Sequence, residues 1–212
     1  MTELAEVLEL LHRCVDRSCT IVAAYDQFGA KRRDVLVAGA TDLRWREVGV
    51  SNLVGRSRMR IWAKQPDQFR VEVWRDDALV RLAVADGRHC WRSSEGQIAH
   101  ETASLSAMPQ VTAPPAVVDP GPLIGALRLE VAGHVVRAGR SAILVRGRPR
   151  SGSTPSRHEF EVDAKRGILL RRTVWFADTK LYEVVATRVD YDEHIPANVF
   201  AGPARDHTQA PV

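Results

Sequence analysis

Residues that could do chemistry are few and scattered in this chain. The densest polar set is Asp190-Tyr191-Asp192-Glu193-His194, where carboxylates, a phenol and an imidazole follow one another. Such a set could bind a cation or pass a proton. It stands directly before Ile195-Pro196, at the end of an alternating stretch, where an exposed turn uses the same residues without any chemistry. His89-Cys90 could form a thiolate pair. Adjacent residues of a strand point to opposite faces, which argues against that pairing. Cys14, Cys19 and Cys90 are odd in number and lack metal-type spacing, and the 7 histidines are scattered. Patterns of the G-x-S-x-G, P-loop and G-x-G-x-x-G kinds are absent. The reading is of a non-enzyme, with no catalytic residue, no metal site and no cofactor.

The 5 tryptophans are interleaved with arginine, which could suggest bases stacking on a sheet. Trp62 and Trp74 fall on the same face as Arg58, Arg60 and Arg70 if the local period is two. The simpler reading packs these rings under a helix or against neighbouring arginines, so nucleic acid is disfavoured. The net charge of +4 rests on arginine, since only Lys31, Lys64, Lys165 and Lys180 are lysines. An Arg- and Ala-rich composition of this kind follows from a GC-rich genome without a specific partner.

With catalysis set aside, the informative feature is an oily surface and the strands that build it. From Arg58 to Trp91 the chain reads as a meander. Met59, Ile61 and Ala63 alternate with Arg60, Trp62 and Lys64. Past Gln65-Pro66-Asp67, Phe69, Val71 and Val73 alternate with Arg70, Glu72 and Trp74. Asp76-Asp77 and Asp86-Gly87 mark the next two turns. Burying an alkyl chain against such a face is worth about 0.8 kcal/mol per methylene.

The remaining elements follow from the same patterns. Residues 2–17 predict an amphipathic helix, with Leu4, Val7, Leu8, Leu11 and Val15 at helical spacing. Thr20–Phe28 reads as a strand that turns Ile21, Ala23 and Tyr25 to one side. Residues 104–122 carry Pro109, Pro114, Pro115, Pro120 and Pro122 and predict a long surface excursion, of the sort that forms lids. Asp119-Pro120 could start a helix whose apolar residues come from Pro122–Leu129. Strand patterns return at His134–Val136, Ser141–Arg148, His158–Asp163, Ile168–Phe176 and Lys180–Tyr191. That makes nine to eleven strands by this count, too many for a flat sheet with one small helix.

The stretch IWAKQPDQFR, followed by DGRHCW and later by FEVDAKRGILLRRTVWFADTKLYEVV and IPANVFAGP, resembles the LolA/LolB/LppX/RseB-like lipoprotein-carrier superfamily. The resemblance covers Arg58–Pro203, including VDPGPLIGAL in the middle, and suggests an actinobacterial-type form without a signal peptide. It implies a strongly curved antiparallel sheet, a half-open β-barrel, with an N-terminal helix and a helical plug or lid, an α+β fold. It further implies an apolar ligand in the concave face: a lipid, an acyl chain or a lipoprotein-like moiety. In the carriers that pass lipoproteins on, an arginine just before the turn proline latches the lid. Gln65 occupies that position here and brings no charge.

The expectations are these. Residues 1–203 form one domain, and 204–212 a disordered tail. Met59, Ile61, Ala63, Gln65, Phe69, Val71 and Val73 line the ligand site. The partner is an apolar small molecule or lipid. The alternative is an RseB-like sensor acting through a partner protein. No stretch is long enough to span a bilayer. Glu3, Glu6 and Glu9 stand where a signal peptide carries basic residues, and Leu11-His12-Arg13-Cys14 is no lipobox. This reads as a cytoplasmic protein, or one of the cell envelope if the N-terminus is incomplete.

Overall fold

Alternation at period two governs most of the chain, and the computed structural model turns it into one continuous sheet. The structure describes residues 4–16, 20–30, 54–64, 67–94, 97–101, 127–150 and 156–202. Helix α1 spans Leu4–Asp16 with Glu6 in its first turn, where a carboxylate meets the positive helix end. Val7 and Leu11, one turn apart, are its buried anchors. The strands that follow are β1 (Thr20–Gly29), β2 (Gly55–Lys64), β3 (Gln68–Arg75), β4 (Ala78–Asp86), β5 (Cys90–Ser94) and β6 (Gln97–Glu101). Then come β7 (Leu127–Arg137), β8 (Arg140–Pro149), β9 (Ser156–Asp163), β10 (Leu169–Phe176) and β11 (Thr179–Tyr191).

All 11 strands form a single sheet in the order β6-β5-β4-β3-β2-β1-β11-β10-β9-β8-β7. Two antiparallel meanders, β1 to β6 and β7 to β11, are joined by the β1–β11 pair, in which Ile21 faces Tyr191 and Gly29 faces Tyr182. The outermost strands, β6 and β7, are not partners, so the sheet curves without closing. Register shifts at Ala24/Tyr25, Val73/Trp74, Val131/Gly133, Leu169/Arg171 and Val174/Trp175 insert bulges. Each bulge bends its strand and adds twist, which curls a long sheet toward a barrel. At the β3–β4 turn Asp76 and Asp77 both take positive φ, at 47° and 63°. That turn matches the right-handed twist of the hairpin, and Asp tolerates it better than most residues.

The two faces differ. The inner face carries the main apolar core: Ile21, Ala23 and Tyr25 of β1, Met59, Ile61 and Ala63 of β2, then Val184 and Ala186 of β11, Val174 of β10, Phe160 of β9 and Val145 of β8. Val7 and Leu11 of α1 belong to that core. The outer face is covered locally by the end of the chain. After β11, Ile195 and Phe200 are buried, and residues Ala197–Phe200 form a 3-10 turn lying against β3 and β4. This strap places Gly202 so close to the Trp91 ring that a Cβ there would collide with it.

One element differs from expectation. Leu127–Leu129, assigned above to the end of a helix, is extended and opens β7, with Leu127 paired to Pro149. Leu127 and Leu129 alternate with Arg128 and Glu130, and their side chains meet the inner surface at Gly147. The last part of the expected helical plug is therefore strand. The rest of that plug, the excursion over 104–122 and the tail over 204–212 lie outside the described residues.

Candidate ligand-binding face

Strands β2 and β3 place six of the seven expected site residues side by side. Met59 pairs with Val73, Ile61 with Val71 and Ala63 with Phe69, all on the inner face. Across β1 the same rows continue as Tyr25, Ala23 and Ile21. Met59, Ile61, Ala63, Phe69 and Val73 are buried, and Val71 is half-buried against them. Arg60 is exposed and Arg70 half-exposed, on the opposite side. Gln65 lies outside the described residues.

A row of buried polar residues, not anticipated from the pattern, crosses the same face. Ser57 of β2 faces Gln27 of β1, which faces Val184 of β11, which faces Arg172 of β10, which faces Phe160 of β9. Ser57, Gln27 and Arg172 are all buried, Arg172 to 1% exposure. One rung along, Val174 lies between His158 of β9 and Tyr182 of β11. His158 is 2% exposed, and its Nδ1 has no hydrogen-bond partner among the described residues. The Arg172 guanidinium lies 5.4 Å from the centre of the Tyr182 ring. Burial lowers the pKa of Arg172 to about 10, so it stays charged at neutral pH. Burial and the nearby Arg172 charge bring His158 down to about 3, so its ring stays neutral.

On the outer face, charges are paired. Arg137 reaches Glu161 twice, at 2.7 and 3.1 Å, and Arg171 bridges Glu161 (3.1 Å) to Glu183 (2.8 Å), which also takes Lys180 (2.7 Å). Trp74 Nε1 donates to Glu72 at 3.0 Å, and Arg157 stacks on Trp175 at 4.7 Å. Trp74 and Trp175 thus take up a carboxylate and an arginine of their own sheet. A cavity of about 930 Å³ opens where β1, β2, the β3–β4 turn and β11 meet. Its wall includes Phe28, Trp74, Arg56 and Lys180, and it reaches the inner-face residues Gln27 and Ser57. None of the six expected β2 and β3 residues lines it.

The polar residues first considered for chemistry sit where strands end or begin, with Asp190 and Tyr191 closing β11 and Cys90 opening β5. Asp163 accepts the backbone N–H groups of Lys165 and Arg166, at 2.8 and 2.9 Å, and the Tyr191 hydroxyl at 3.2 Å. Arg140 and Arg166 stack on the Tyr191 ring, at 4.6 and 5.1 Å. Asp190 pairs with Arg188 and Asp192 with Arg166, while Thr20 donates to the Glu193 carbonyl. His89 Nδ1 stands 3.3 Å from Asp86, and Cys90 is buried. Among the described residues no group of three His, Cys, Asp or Glu side chains could hold a metal ion.

No protein-family model matches the chain, and no curated protein matches it. Solved structures do. The complex of MucA and MucB from Pseudomonas aeruginosa superposes with a TM-score of 0.52 at 17% identity, over 98% of this chain and 60% of MucB. An uncharacterized conserved protein from Thermus thermophilus gives 0.55 at 14%, over 95% and 94% of the two chains. The chain shares its fold with MucB and with the Thermus thermophilus protein. The chain spans 60% of the length of MucB. The lipoprotein LppX of Mycobacterium tuberculosis aligns over 92% of this chain at 10% identity, with a TM-score of 0.49.

Proposed function

We propose that the protein binds an apolar ligand, a lipid or an acyl chain, against the inner face of its half-barrel, without catalysing a reaction on it. The observation that carries this reading is the inner face itself. It runs unbroken over eight strands from β4 to β8, is apolar along β2 and β3, and belongs to a sheet that curves without closing. A concave apolar face with a few inward polar groups is the usual form of a small-molecule site. Met59, Ile61, Ala63, Phe69, Val71 and Val73 supply its apolar wall. Native mass spectrometry of freshly purified protein tests the reading. A mass increment that disappears on denaturation and is identified as a lipid or acyl compound supports it. Protein that carries no apolar molecule, and takes up none from added fatty acids or phospholipids, contradicts it.

A second reading is favoured by the fold match to MucB, which is solved in complex with MucA. In that reading the half-barrel senses a ligand and passes the signal to a protein partner. Its partner would be recovered by crosslinking in the source cell, with recovery changing when ligand is added.

A further inference from the structure

We infer that the open edge of the sheet at β7 pairs with the same edge of a second copy of this chain, antiparallel over residues 127–131, so that two half-barrels share one continuous sheet. The pairing is independent of the apolar-ligand reading, and either can fail without the other.

Strand β7 ends the strand order and pairs on one side only, with β8. Its other side offers ladder N–H and C=O groups to an extended segment laid along it. Residues 127–131 keep a regular register with β8, and the shift between Val131 and Gly133 ends that run. The run holds neither a proline nor a bulge, the devices that blunt an edge. Leu127, Leu129 and Val131 belong to the inner face, while Arg128 and Glu130 are exposed on the outer one.

The charges of this edge suit a second copy. Arg128 stands across from Arg148 of β8, and both are exposed. Neither arginine has an ion pair among the described residues. Like charges directly opposite each other weaken a strand pair. Glu130 stands across from Arg146. A two-fold axis at Leu129 sets that residue against its own copy, Leu127 against Val131, and Arg128 against Glu130. Each Glu130 then lies between Arg128 of the second copy and Arg146 of its own β8. Centring the axis on Arg128 or Glu130 instead puts like charges face to face, and half-step registers oppose inner to outer side chains. Opposite charges therefore meet in one register of this run. Five residues are few beside the roughly 20 or more a side of a stable interface, so the dimer is weak and forms with concentration.

Sedimentation velocity of the purified protein from about 1 µM to about 1 mM shows a monomer passing to a dimer and to nothing larger. Amide exchange of residues 127–131 slows over the same range, while that of the central strands β1 and β11 does not change. Arg128→Glu and Glu130→Arg each turn both symmetric ion pairs into repulsions and weaken the dimer about tenfold or more. The double variant restores opposite charges in exchanged positions and recovers the dimer, which a merely structural role of either residue does not predict. Both positions are exposed, and circular dichroism of each variant confirms an intact sheet. A monomer at every concentration overturns the inference and leaves the edge to a strand of another protein. A dimer whose 127–131 amides exchange as in the monomer, or that the double variant fails to recover, also overturns it. Growth beyond the dimer overturns it in favour of β7 pairing with β6 of the next copy.

Discussion

The Arg172 guanidinium lies 5.4 Å from the ring centre of Tyr182, both side chains buried on the inner face of the sheet. A ring face attracts a cation, and contacts of this kind are worth about 0.5–2 kcal/mol. Burial in turn pushes the Tyr182 phenol up and holds it neutral.

The neighbouring imidazole makes stability depend on pH. His158 has a native pKa of about 3, against 6.5 when exposed, because burial and Arg172 disfavour its charged form. Below 6.5 the unfolded chain takes up a proton that the native state refuses. Its contribution is complete above pH 6.5 and declines as pH falls toward 3, at a limiting slope of about 1.4 kcal/mol per unit. Urea unfolding of wild type and His158→Phe between pH 7.5 and roughly 5, above the carboxylate range, checks this. The wild type loses stability across that interval, and the variant loses markedly less.

Glu161 is the hub of the outer ion pairs, 3% exposed between Arg137 and Arg171. Burial alone would raise its pKa, but hydrogen bonds from both arginines hold it below the usual carboxylate range. Glu161→Gln leaves two guanidinium groups facing a neutral amide. With those arginines partly open to solvent, we expect a loss of about 1–3 kcal/mol by chemical denaturation. The difference should shrink as pH falls through the native pKa of Glu161, where the wild-type carboxylate also becomes neutral.

The C-terminal strap should be a cooperative part of the sheet. Phe200 is buried at the end of its 3-10 turn, beside β3 and β4, and Arg70 donates to the Val199 carbonyl at 3.4 Å. Phe200→Ala should cost about 3–5 kcal/mol. Gly202→Val should lift the strap off Trp91, read as a red shift of tryptophan emission. Retained stability in Phe200→Ala would show that the strap merely rests on the sheet.

Much of this was legible because the governing signal is local. The alternation in β2 and β3 put Ile61 and Phe69 inside and Arg60 outside, as the register shows. The spacing of Val7 and Leu11 gave the helix. Three features were not legible, for separate reasons. Arg171 and Arg172 are adjacent and identical, so alternation says that one points inward but no property of the residues says which. Gly133 breaks the period of β7 with a bulge, leaving Leu127–Leu129 to resemble a helix end. The burial of Phe200 depends on β3 and β4, over a hundred residues earlier, and no short-range pattern reports it.

The central claim is that an apolar ligand lies on the inner face, and spin-label NMR addresses it most directly. A long-chain amphiphile bearing a nitroxide on its alkyl chain is added to protein with labelled methyl groups. The account predicts strong broadening of the Ile61, Val71 and Val73 methyls, while those of Leu82 and Val84, across the sheet, stay sharp. Broadening confined to Leu82 and Val84, or none at saturating ligand, would contradict it.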